Sequence, residues 1–240
     1  MNYPDDFINK IICGDCLEVM KDIPDKSVDL VVTSPPYNFN GFNRDGRVIN
    51  YLDYKDNLKT SDYKKWIENI LVESSRVLKI GGVLYWNHKG KYENYKYSPP
   101  HWVIDLCPLN LFQEIIWKYP SSPDVAKVKW YPRFENIYMF SKGKLDYFNP
   151  DMAKIGNVWE INHSMGKINH PAPYPLGLAK RCVESVTKEN NIVLDPFIGS
   201  GTTAVACKSL GRKYIGIEIS PEYCDIARKR VNVTPEPLFV

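Results

Sequence analysis

The sequence predicts an α/β fold, a sheet with helices on both faces. Three observations carry that expectation. Short apolar runs of strand length alternate with longer stretches of helical spacing. The run Val28-Asp29-Leu30-Val31-Val32 is cut off by Pro35 and Pro36, neither of which can donate to a strand ladder. Later, Ile192-Val193-Leu194 leads through Asp195 into a glycine turn and a helix.

The elements follow in order. Residues 7–12 read as a strand and 16–23 as a short helix closed by Pro24. The Val28 strand and its Pro-Pro corner come next. Residues 38–59 are polar and aromatic, a loop long enough to point to function. Trp66, Ile67, Ile70, Leu71, Ser74 and Leu78 repeat at helical spacing after the cap-type run Thr60-Ser61-Asp62. Lys79-Ile80-Gly81-Gly82 is expected to end that helix before a strand at 83–87. A helix begins near Trp102, and strands at 111–118 and 137–142 flank a Pro/Ser/Lys-rich excursion. Residues 148–169 read as loop with a short strand at 158–161. Helix 175–186, strand 192–194, helix 202–210, strand 213–219 and helix 221–231 complete the alternation.

Length and composition narrow the class. A chain of 240 residues, 44% hydrophobic and 25% charged, suits one sizeable domain and excludes disordered and collagen-like classes. No run reaches the roughly 18 apolar residues of a membrane span, and the acidic start lacks a signal-peptide layout, so a cytoplasmic protein is expected. A net charge of +3 means that nucleic-acid binding must be argued from local clusters. Of six cysteines, Cys13 and Cys16 have metal-like spacing but find no second pair, so no metal site is expected and the thiols read as small buried hydrophobes.

Two stretches carry chemistry. At Thr33-Ser34-Pro35-Pro36-Tyr37 a stiff corner presents a hydroxyl, carbonyls and an aromatic ring, a setting for a flat amino-bearing substrate. At residues 191–203 a strand runs into an acid, a Gly199-x-Gly201 turn and a helix start with unpaired N–H groups. Glu218 ends the next strand 23 residues after Asp195, near the spacing at which a carboxylate reaches ribose hydroxyls. The third glycine of a dinucleotide fingerprint and the lysine of a phosphate loop are both missing. An adenosine without pyrophosphate fits, and S-adenosyl-L-methionine is such a ligand.

Asp195-Pro196-Phe197-x-Gly199-x-Gly201-Thr202-Thr203, Thr33-Ser34-Pro35-Pro36-Tyr37 and His170-Pro171-Ala172-Pro173-Tyr174-Pro175 together resemble a DNA amino-methyltransferase. The catalytic motif precedes the cofactor loop, the order of the β-group. The resemblance implies a Rossmann-like S-adenosylmethionine-dependent methyltransferase fold, with seven strands, one of them antiparallel. It implies one domain over residues 1–240, with small target-recognition elements within 89–169. Phe197, Gly199, Ser200, Gly201 and Thr202 would form the cofactor loop and Glu218 would hold the ribose. Asp15 would sit near the adenine amino group, Asp195 at the cofactor's amino end, and Thr33 and His170 along it. Ser34, Pro35, Pro36 and Tyr37 would be catalytic, with Tyr37 stacking on a flipped base. A serine first in this motif resembles the cytosine-N4 branch, where the adenine-N6 branch typically carries Asp.

Arg44 and Arg47, Lys91 among its neighbouring tyrosines, and Lys127, Lys129 and Arg133 are the basic residues expected to meet phosphate. The expected partner is double-stranded DNA. So little chain is left for sequence recognition that a short site, a homodimer or a separate specificity partner is expected, in a restriction-modification setting. RNA or protein-amide methylation, and a non-catalytic DNA-binding module, are the competing readings.

Overall fold

The computed structural model describes residues 1–39, 56–93, 95–120, 130–162 and 174–237. Strand β1 (Lys10–Cys13) leads into α1 (Cys16–Met20) and β2 (Val28–Thr33), and α2 (Thr60–Val77) into β3 (Leu78–His88). A hairpin of β4 (Lys91–Glu93) and β5 (Lys96–Ser98), then α3 (Trp102–Leu106), precede β6 (Asn110–Lys118) and β7 (Phe134–Ser141). After α4 (Pro150–Ala153) and β8 (Val158–Glu160) come α5 (Leu176–Val186), β9 (Ile192–Asp195), α6 (Thr202–Ser209), β10 (Lys213–Glu218) and α7 (Pro221–Asn232).

Among the described residues the main sheet has eight strands in the order β1-β10-β9-β2-β3-β7-β6-β8. Only β7 runs against the others. The expected seven strands are thus one too few. The extra strand is β8, a three-residue edge that pairs in parallel with the end of β6 and is anchored by the buried Trp159 ring.

The central strands are covered on both faces, which is why β2, β3 and β9 are mainly apolar. Leu30 and Val32 face α5, α6 and α7, while Val31 faces α1 and α2. Helix α2 ends at Val77 and β3 begins at once, so Lys79-Ile80-Gly81-Gly82 lies in the strand instead of ending the helix. Gly81 has φ +84°, and a Cβ there would stand 2.3 Å from the Asp146 carboxyl carbon. The glycine is needed for the irregular start of a strand, a demand that resembles a helix stop in sequence. The first strand is shorter than expected, since residues 7–9 form turns and Phe7 is buried beneath them.

From β2 the chain winds one way, to β3, and from β9 the other way, to β10. The β2/β9 boundary is therefore the switch point where ligands of such sheets bind, outside the carboxyl ends of the strands. Both information-rich stretches start there.

Candidate active site

Strand β2 delivers Thr33 to the switch point, 1% exposed. Its hydroxyl donates to Asp195 Oδ1 at the end of β9 across 2.8 Å. Ser34 follows, half-buried, and then the buried Pro35. The Tyr63 hydroxyl, from α2, donates to the Pro36 carbonyl at 2.7 Å. Among the described residues no donor reaches the Pro35 carbonyl. Beyond the corner, the Asp56 carboxylate accepts Asn38 N–H at 2.7 Å and Phe39 N–H at 3.1 Å, tying down the chain as it leaves.

The Tyr37 ring lies on the His88 ring, with centroids 4.7 Å apart. Burial pushes the His88 pKa down to about 4, so the imidazole is neutral at physiological pH. The Tyr37 hydroxyl is 2.7 Å from Ser34 Oγ and donates to Glu135 Oε2 at 3.1 Å. Asn87 Nδ2 donates to the Tyr37 hydroxyl at 2.8 Å and to Glu135 Oε2 at 3.0 Å. Lys89 Nζ stands 3.7 Å from Glu135 Oε1. A narrow cleft runs from this corner towards α5, lined by Thr33, Ser34, Tyr85, Asn87, Tyr174 and Leu178 among others.

Asp195 is fully buried. Its Oδ1 also accepts Phe197 N–H, and its Oδ2 accepts the Tyr174 and Thr203 hydroxyls. Burial raises its pKa to about 6 despite these donors. The Asp195 carboxylate, expected at the cofactor's amino end, joins the Ser34 corner to the glycine loop. In that loop Gly201 has φ +88°, and a Cβ there would lie 2.9 Å from Ala227 Cβ. The Ser200 and Thr202 hydroxyls accept from Arg230 of α7, which leaves their O–H groups as donors. The Phe197 ring lies 5.4 Å from that of Trp66.

Glu218 ends β10 beside this loop, its Oε2 accepting Gly199 N–H and its Oε1 accepting Ser220 N–H. Burial raises its pKa. The Ser220 hydroxyl, next to it, is buried without a partner among the described residues. Strand β1 brings Cys13 level with Glu218, so Asp15 stands at the same edge of the site. Asp15 is exposed and caps α1 with Oδ1. Two acids, a glycine loop and an unsatisfied hydroxyl at adjoining strand ends suit an adenosine with free ribose hydroxyls.

Arg44, Arg47, Lys127, Lys129 and His170 lie outside the described residues. Lys91, on β4, donates to the Asn38 carbonyl at 3.3 Å, which places the hairpin beside the Pro-Pro corner. Arg133 is exposed, just before β7. Cys13 is exposed, contrary to the buried-thiol expectation, because β1 ends at the open strand edge. Cys107 is intermediate and the other four thiols are buried.

Sequence reasoning missed Asn87, His88, Tyr63 and Glu135. Asn87 and His88 had a signal, since they are polar residues at the carboxyl end of a buried parallel strand. Glu135 had none, because β7 is antiparallel and offers its start to the site.

A glycine loop and a spaced acid on one side of the switch point, with a polar Pro-Pro corner on the other, define an enzyme that works on a nucleotide-like cofactor. The family model for DNA methylases, covering N6 and N4 methyltransferases, matches residues 28–229, and the chain belongs to that family. It is 34% identical to the type II methyltransferase M.BglII of Bacillus subtilis, over 98% of this chain and 72% of that one. It is 33% identical to the DNA adenine methyltransferase YhdJ of Escherichia coli K12, over 93% of this chain and 82% of that one. Among solved structures, the cytosine-N4-specific PvuII DNA methyltransferase superposes with a TM-score of 0.76 at 22% identity, covering 94% of this chain and 89% of its own. A putative DNA modification methylase of Thermus thermophilus, TTHA0409, solved in complex with S-adenosyl-L-methionine, gives 0.71 at 25% identity, covering 94% of each chain.

Proposed function

We propose that this protein transfers the methyl group of S-adenosyl-L-methionine to the exocyclic amino nitrogen of a base flipped from double-stranded DNA, and that the base is cytosine, methylated at N4. The observation that carries the reading is the 2.8 Å hydrogen bond from Thr33 to Asp195, which clasps the Ser34-Pro35-Pro36-Tyr37 corner to the glycine loop. S-adenosyl-L-methionine supplies an electrophilic methyl group on a sulfonium. Glu218 holds the ribose, with Gly199 and Ser220 fixing its carboxylate, Asp15 lies towards the adenine, and Phe197, Gly199 and Gly201 line the loop.

An exocyclic amino nitrogen is a weak nucleophile because its lone pair is delocalised into the ring. Ser34 Oγ and the Pro35 carbonyl each accept one N–H, which turns the lone pair out of the ring plane and towards the methyl donor. Such orientation supplies up to roughly 7–11 kcal/mol in the best-aligned cases. Tyr37, backed on one face by His88, stacks on the extruded base. Lys91 and Arg133 contact phosphate, and recognition elements lie within residues 89–169.

Ser34 favours cytosine through the family resemblance. Adenine N6 is the second reading, because a relative at 33% identity is a DNA adenine methyltransferase. Mass spectrometry of nucleosides from DNA treated with the enzyme separates the two: N4-methylcytosine is expected, and N6-methyladenine overturns the choice of base. Ser34→Ala should lower methyl transfer by about 100-fold or more with cofactor binding retained. Transfer at the wild-type rate refutes the role given to Ser34.

A further inference from the structure

Asn87 holds a polar atom that the reading above does not use. It is 4% exposed, yet its Oδ1 has no hydrogen-bond partner among the described residues, and the residue lines the cleft at the Ser34 corner. A buried carbonyl left without a donor is costly, so it calls for a ligand that donates.

Glu135 explains why the amide faces this way. Its carboxylate, 7% exposed and paired with Lys89, can only accept. Every group turned to it must therefore donate. Asn87 points Nδ2 at Glu135 Oε2, which leaves Oδ1 for another donor. Tyr37 gives its one proton to the same oxygen, so towards Ser34 it can only accept. The Ser34 proton then goes to Tyr37, Asn87 Nδ2 donates to Ser34 Oγ at 3.4 Å, and a Ser34 lone pair is left for a further donor. One buried anion thus orients two acceptors, Ser34 Oγ and Asn87 Oδ1, at the same strand ends.

We propose that Asn87 is a further catalytic residue, its Oδ1 sharing with Ser34 Oγ one N–H of the amino group being methylated while the Pro35 carbonyl takes the other, and that Glu135 is the positioning residue that orients Asn87 and Ser34. The inference rests on the amino-methyltransferase reading and deepens it. As the N–CH3 bond forms and the S–CH3 bond breaks to leave the neutral thioether, the amino nitrogen gains positive charge until it releases one N–H proton to solvent. Its N–H donors therefore strengthen towards the transition state. An acceptor held in place beforehand raises kcat more than it lowers KM.

The test is single-turnover methyl transfer from labelled S-adenosyl-L-methionine to unmethylated genomic DNA by wild type, Asn87→Leu, Glu135→Gln and the double variant. Cofactor and DNA affinities are measured beside it. Asn87→Leu should lower the rate about 10- to 100-fold, and Glu135→Gln about 10-fold, with both affinities unchanged. The double variant should fall by less than the product of the two single losses, because Glu135 acts in part through Asn87. Asn87→Leu at the wild-type rate overturns the catalytic role, and multiplying losses overturn the positioning role. If Asn87→Leu fails to bind cofactor, Glu135→Gln decides alone: a wild-type rate refutes the proposal. A wild-type protein that methylates no DNA refutes the reading beneath it instead.

Discussion

Asp195→Asn offers a sharp test of the switch-point brace. Burial holds the Asp195 pKa at about 6, against 3.8 for an ordinary aspartate. The native protein therefore keeps the proton over a pH range in which the unfolded chain has released it, and stability falls as pH rises from about 4 to about 6. The full shift corresponds to about 3 kcal/mol of destabilisation above that range. Asparagine removes the charge and can keep the geometry. Its carbonyl takes the Oδ1 place, where Thr33 and the Phe197 N–H donate. Its NH2 takes the Oδ2 place, facing the Tyr174 and Thr203 hydroxyls, which can rotate to accept. Urea unfolding of both proteins at pH 5.0 and 7.5 should show the wild type losing about 1–1.5 kcal/mol relative to the variant between the two values. Equal pH dependence in both proteins would refute the argument that a desolvated carboxylate sits at the centre of the site.

Other consequences follow from single contacts. Glu218→Ala removes the acceptor of the Gly199 and Ser220 N–H groups and should weaken cofactor binding about 10- to 100-fold by calorimetry, with little change in cofactor-free DNA binding. Gly201→Ala forces a side chain onto a backbone at φ +88° and within 2.9 Å of Ala227 Cβ, so a loss of about 2 kcal/mol or more is expected in urea unfolding. Arg76 donates to the Met20 and Ile23 carbonyls at 2.7 and 2.9 Å, fastening the end of α1 to α2. Arg76→Ala should cost about 2–3 kcal/mol through those carbonyls. Its solvent-accessible partners Glu73 and Asp25 add little, so high salt should leave most of the effect in place.

The sequence by itself determined the alternation of strands and helices, the stiff corner at residues 33–37, the glycine loop and the acid at 218. Each is set locally: proline removes a donor, glycine admits positive φ, and apolar period marks a buried face. The family resemblance rested on the same residues. What remained illegible depended on neighbours in space. A short edge strand such as β8 exists because the end of β6 offers it a ladder, and three residues carry no period of their own. Gly81 and Gly82 looked like a helix stop because a strand irregularity makes the same demand on the backbone.

The site was divided in the same way. Ser34, Tyr37, Asp195 and Glu218 stood out in the sequence, but not what their side chains touch. Only the tertiary structure turned Asp195 inward to Thr33, 162 residues away, and set Glu135, 98 residues on, against Tyr37. Sequence spacing records which strand end a residue occupies. Which strand lies beside it, and so which donor meets which acceptor, is decided when the sheet assembles in the order β9-β2-β3-β7.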